Sequence, residues 1–129
     1  MGRIVTPSEW IFAGRPFIEG KPYRFKQLPL QTQNDAAAHF ELEVGEQLEA
    51  QARYRFVVLS QEDLMEMLEG SYGPTLKRAM NDPYVKILEA DIRRHGLRNP
   101  PVGGEGMHRL LALARIGKGA PYFHMEELP

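Results

Sequence analysis

With 129 residues, of which 43% are hydrophobic and 26% charged, the chain is sized for one domain with one core and is composed like an ordinary globular protein. A net charge of −1 excludes the strongly positive balance of many nucleic-acid binders, and the lack of cysteine excludes a disulfide framework, a thiol nucleophile and a thiolate metal site. Apolar runs such as Phe56 to Leu59 are far too short to span a membrane, and the opening residues lack the apolar stretch of a secretory signal, so a cytoplasmic location is expected.

Charge is distributed unevenly. Residues 1–70 carry 7 Lys/Arg against 11 Asp/Glu, whereas residues 71–129 carry 9 against 6. The basic surplus between Lys77 and Lys118 suits either a solvated helix surface or attraction of a nucleotide, nucleic acid or acidic partner.

Residues 1–38 are expected to form an irregular N-terminal arm, because Pro7, Pro16, Pro22 and Pro29 interrupt any long element. Trp10, Phe12, Phe17, Tyr23 and Phe25 crowd this arm, which is expected to pack on the domain, with partner binding as the alternative. Residues 39–59 alternate apolar and polar side chains on both sides of Gly45-Glu46, which predicts a type II′ hairpin. Glu41 and Glu43 fall on its solvated face.

Helix signals follow. Ser60 is a suitable N-cap for a helix with Leu64, Met65 and Leu68 on its buried face and Gly70 at its end. A short helix is expected after Pro74. Asp82 as N-cap and Pro83 at the first helical position start the clearest helix, 83–95, with Gly96 as its terminator. Tyr84, Ile87, Leu88 and Ile92 are expected to be its buried face. Asn99-Pro100-Pro101 forces an extended link. A last helix, 106–116, is expected to bury Leu110, Leu113 and Ala114, to be stopped by Gly117 and Gly119, and to lead into a closing strand from Pro121 to Met125. The mixture predicts a single α+β domain, a small sheet packed by helices 83–95 and 106–116.

The most informative heptad is Gly103-Gly104-Glu105-Gly106-Met107-His108-Arg109. Its glycines allow left-handed backbone and close approach to a ligand, and they lead into a helix whose first N–H groups lack intrahelical partners. Such a terminus favours an anion, and Arg109 offers a planar fork for phosphate oxygens. On this view Arg109 lies exposed on the helix surface, and its loss costs only about 0.5 kcal/mol of stability. The bland alternative is turn punctuation with a chance basic pair. His39, His95, His108 and His124 have no metal-ligand spacing, no Walker A sequence exists, and Ser8, Ser60 and Ser71 lack the setting of a catalytic nucleophile.

In order and spacing, residues 82–125 resemble the nucleotide-binding core of the ParB/sulfiredoxin superfamily. Ile87 to His95 followed by Gly96-Leu97-Arg98-Asn99-Pro100 looks like that family's helix and Gly-Leu-x-x-Pro signature, and Gly106-Met107-His108-Arg109 is similar to the Gly-x-His-Arg form of its phosphate-binding box. The resemblance implies a nucleoside triphosphate ligand, ATP or CTP, accompanied by Mg²⁺. It places Gly104, Gly106, His108 and Arg109 around the phosphates, with Asn99 and Pro100 shaping the wall and Glu105 as the nearby carboxylate for any catalysis. Hydrolysis and phosphoryl transfer stay open. A small accessory protein of a phage or mobile element is the implied setting.

The sequence also departs from that pattern. Met107 stands where the partition proteins carry Glu and sulfiredoxins need Cys, so sulfiredoxin chemistry is excluded. The stretch from Pro101 to Gly106 is short, so the strand pair that normally intervenes is expected to be reduced or missing. No counterpart of the partition proteins' helix-turn-helix domain is expected. Two rivals stand beside this reading. One is a non-catalytic interaction protein using the aromatic arm or the basic helix face. The other is a DNA-binding or nucleolytic module contacting phosphates through Arg93, Arg94, Arg98 and Arg109.

Overall fold

The computed structural model describes residues 4–5, 17–39, 52–102 and 106–128. The fold is a small α+β arrangement, as the mixed strand and helix signals require. A three-stranded antiparallel sheet joins β3 (Pro22–Tyr23), β4 (Ala52–Leu59) and β5 (Ala120–Glu127) in that spatial order. A separate antiparallel pair joins β1 (Ile4–Val5) and β2 (Phe17–Ile18). The helices are α1 (Leu30–His39), α2 (Gln61–Tyr72), α3 (Leu76–Met80), α4 (Pro83–His95) and α5 (Met107–Ile116). No helix among the described residues is long and apolar enough to cross a membrane.

Alternation decides which face of the sheet is buried. Ala52, Tyr54 and Phe56 of β4 are fully buried, and the register sets Phe56 opposite Phe123 and Tyr54 opposite Met125 on the same face. Phe17, Tyr23, Phe56 and Phe123 form an aromatic knot with ring centroids 5.0–6.2 Å apart. Phe17, Tyr23 and Phe25 of the N-terminal region are thus core residues. Trp10 and Phe12 lie outside the described residues. On the opposite face Arg55 pairs with Glu126 across β4 and β5. The strand expected on the other side of the Gly45-Glu46 turn also lies outside the described residues, and the observed partners of β4 are β3 and β5.

Two N-caps are met as expected. The Ser60 side chain accepts from the Asp63 N–H at 3.1 Å, and Asp82 accepts from the Tyr84 N–H at 2.8 Å. Other expectations are corrected. Residues 30–39 are helical rather than irregular, with Pro29 just before the first turn, where its carbonyl accepts from the Gln33 N–H at 2.9 Å. α2 runs through Gly70 to Tyr72 and ends at Gly73, whose φ of 55° a side chain would resist.

The central helix is α5. Leu110, Leu111, Ala112, Leu113 and Ala114 are all buried, not one face alone, because α2, α3, α4 and β5 surround it. A helix that is apolar all round belongs in the middle of a core. α4 buries Val85 and Ile92 and half-buries Leu88. Tyr84 and Ile87, expected inside, are 53% and 65% exposed. The stripe of Val85, Leu88 and Ile92 packs inward and turns Tyr84 and Ile87 outward.

A charged clasp fixes α4 on α5. Glu89 accepts from Arg115 Nε at 2.6 Å and from Arg93 Nε at 3.0 Å, and Arg115 also donates to the Met80 carbonyl at 3.1 Å. The Glu89 carboxyl is held below its ordinary range, first by the Arg115 hydrogen bond and then by that of Arg93, while burial opposes both. A depressed carboxylate pKa contributes stability that is present above the unfolded value, about 4.3, and is lost as pH falls through the lower folded value. Melting temperatures of the wild type and Glu89→Gln should therefore differ most near neutral pH and converge under acid. A constant gap from neutral pH to about pH 2 would show that the clasp does not act through its charge.

Candidate functional site

The link from Leu97 to Val102 delivers the site. Its backbone runs beside β5, where Val102 makes a parallel bridge to Phe123 and the Pro101 carbonyl accepts from the Phe123 N–H at 2.9 Å. This single bridge is what the described residues show of the reduced strand pair. Gly106 then adopts φ 76°, and α5 begins at Met107. The glycine is required twice over. Its φ disfavours any side chain, and a Cβ built there would lie 2.7 Å from both the Arg109 guanidinium and Pro101 Cβ. Arg109 folds back over its own helix terminus because that space is empty.

Arg109 is not a surface side chain, which corrects the sequence expectation. Its side chain is 15% exposed and forms an ion pair with Asp35 of α1, itself 13% exposed. It also donates through Nη1 to the Asn99 carbonyl at 2.6 Å. Among the described residues these contacts engage Nη1 and Nη2, leaving part of the five-donor fork for a ligand.

α1 is fastened to this spot by further polar bonds. Asn99 Oδ1 accepts from the Gln31 N–H at 3.3 Å, and the buried Thr32 hydroxyl donates to the Pro100 carbonyl at 2.8 Å. Gln31 also donates to Asp35 at 3.3 Å, one turn along. Asn99, Pro100 and Arg109, expected to face a phosphate, all hold α1.

Between α1, α4 and α5 lies a cleft with two adjoining lobes. One, of about 380 Å³, is lined by Gln31, Tyr84, Leu88, Gly106, His108 and Arg109. The other, of about 200 Å³, continues past Gln31, Leu88 and Arg109 to Asp91, Arg98 and Asn99. The larger lobe falls at the low end of the usual size range for small-ligand sites, about 300–1,000 Å³. His108 does not close over Arg109. It is exposed, and its ring meets Tyr84 edge-on at 5.2 Å.

The structure therefore brings Gly106, His108, Arg109 and Asn99 to one cleft, with Pro100 buried behind its wall. Gly104 and Glu105 lie outside the described residues. Arg93 turns to Glu89, Arg94 follows it about 100° round the helix, and Arg98 alone rims the cleft. Sequence reasoning missed Asp35 and Gln31, which lie in the overlooked helix, and Tyr84, which it placed in the core. The Gln31/Asp35 pair at i, i+4 spacing was the signal available.

A second hollow, of about 590 Å³, lies over α2 and α3 around Met65, Leu76 and Met80, and holds none of the expected site residues. Its cation Arg115 already serves Glu89. Among the described residues no three His, Cys, Asp or Glu form a group that could hold a metal ion. Comparison with family models, with curated proteins and with solved structures finds no match.

Proposed function

We propose that the cleft binds a phosphate-bearing ligand, a nucleoside triphosphate such as ATP or CTP. The observation that carries this reading is the convergence of Gly106, His108, Arg109 and Asn99 on one cleft at the start of α5. These are four of the six binding residues the ParB-like resemblance implies, and a helix terminus with an arginine fork suits an anion.

Asp35 gives the site its chemistry. Its carboxylate sits on the guanidinium where a phosphate oxygen would bind, so the ligand enters by replacing one anion with another. Mg²⁺ fits that exchange. A magnesium bound with a nucleotide keeps several waters and needs only one or two carboxylates beside the phosphates. Asp91 of the cleft lining, or Asp35 on Arg109, would supply one, and the cation would offset their negative charge. Phosphoryl transfer or hydrolysis would need a further group, for which Glu105 is the residue proposed from sequence.

The test is calorimetric titration of wild type and Asp35→Asn with ATP and CTP, with and without Mg²⁺. Without Mg²⁺, removing the competing charge should tighten nucleotide binding by about tenfold or more, since a charged hydrogen bond contributes about 1.5–3 kcal/mol. If neither protein binds either nucleotide under any condition, the nucleotide reading fails. The DNA-contact rival has less support, because Arg93 is engaged by Glu89 and Arg109 by Asp35. The interaction rival draws on one observation, the exposed side chains of Leu30, Tyr84 and Ile87.

A further inference from the structure

Tyr84 and Ile87 present an unusual face for a helix packed on a core. They stand one turn apart on α4, and both are more than half exposed, although Val85 beside them is fully buried. Tyr84 is also part of the cleft, sharing its larger lobe with Gly106, His108 and Arg109. The Tyr84 ring is braced by the His108 ring, edge to face at 5.2 Å with an interplanar angle of 79°. One ring thus holds the other in place while leaving an aromatic face toward solvent. A phosphate needs none of this. A flat ring on the same ligand does.

We propose that Tyr84, braced by His108, is the platform on which the base of the nucleotide stacks while Arg109 holds its phosphates. The inference rests on the nucleotide reading above and adds which end of the ligand lies where. The two groups belong to one continuous lobe, so a single molecule reaches both. Its occupant is a ring joined to an anion, because the lobe pairs an exposed aromatic with a cation. Stacking accepts any base, since every base has a π-face, so the platform confers affinity for nucleotides over bare polyphosphate and discriminates little between ATP and CTP.

The experiment uses the full chain as wild type, Tyr84→Ala and Tyr84→Phe, titrated with Mg²⁺-ATP, Mg²⁺-CTP and Mg²⁺-tripolyphosphate. Tyr84→Ala should weaken both nucleotides by roughly 5- to 150-fold, the usual loss of one stacked base. It should leave tripolyphosphate affinity unchanged, and Tyr84→Phe should bind all three ligands like the wild type. The exposure of Tyr84 means that the variants should keep the wild-type melting temperature. Wild-type nucleotide affinity in Tyr84→Ala would overturn the platform while leaving the phosphate site intact. So would an equal loss for nucleotides and tripolyphosphate, which would mark Tyr84 as merely supporting Arg109. Wild-type protein that binds tripolyphosphate as tightly as ATP would also remove the platform alone. Failure of all three ligands to bind would end both this inference and the nucleotide reading.

Discussion

Arg109→Ala should lower stability by about 3 kcal/mol and abolish measurable nucleotide binding. The stability loss follows from the geometry of Asp35. Removing its partner strands a carboxylate that is 13% exposed, and breaking a buried pair typically costs about 3–5 kcal/mol. The lower end applies because the cleft admits water. The Asn99 carbonyl loses its donor as well, which adds to the effect. The comparison that isolates the pair is a double-mutant cycle with Asp35→Ala. The double variant should be more stable than the sum of the single losses predicts, by about 1–3 kcal/mol, because no charge is then left without a partner. Chemical denaturation measures this. Additive losses would show that the ion pair contributes nothing beyond its separate residues.

A second large effect is expected far from the cleft. Gly119→Ala should destabilise the protein by about 2–5 kcal/mol, combining a left-handed residue with a side chain, about 1–2 kcal/mol, and an overpacked contact, about 1–3 kcal/mol. Gly119 has φ 82°, and a Cβ there would lie 2.0 Å from the Leu59 carbonyl oxygen, an atom of the β4 backbone that cannot step aside. Gly117 is the control. Its φ is 89°, yet nothing lies within 4 Å of its Cβ, so Gly117→Ala should cost only the left-handed penalty of about 1–2 kcal/mol. Equal melting temperatures for the two variants would refute the close approach of the 117–119 turn to β4.

The difference between these two glycines marks the limit of what can be read from sequence. Both are helix punctuation when seen in order along the chain, but only Gly117 caps α5. Only tertiary structure reveals that Gly119 also lies against another strand. Local signals served well wherever structure is decided locally. Ser60, Asp82-Pro83, Gly96 and the Gly106 start of α5 were each legible because a cap or a left-handed terminator acts on its own few residues.

α1 was illegible for the opposite reason. Residues 30–39 offer no apolar stripe, and the helix is held by Thr32, Asp35 and the Gln31 N–H reaching residues 68 to 74 positions away. Pro29 was taken to interrupt structure when it stands just before a helix, a place that tolerates proline. α4 shows a subtler failure. Its apolar residues allow two overlapping stripes, 84/87/88 and 85/88/92, and only the position of α5 selects between them. The candidate site suffered from both gaps at once. Gly106, His108 and Arg109 could be read from the chain, but Asp35 and the outward-facing Tyr84 could not.

The placement of α5 bears on how this protein can change over evolutionary time. Leu110 to Ala114 form the middle of the core, so almost any replacement there disturbs four neighbouring elements together. The turn just before them opens on the cleft and carries His108, which is exposed. α4 is divided in the same way, with Val85 and Ile92 committed to packing and Tyr84 and Ile87 outside it. Each of these helices therefore joins a mutationally rigid inner face to a permissive outer one. On the proposed reading, ligand preference can drift through Tyr84 and His108 while the scaffold stays constant, whereas Arg109, which also pairs with Asp35 of α1, is the position where drift in recognition would be checked by the need to fold.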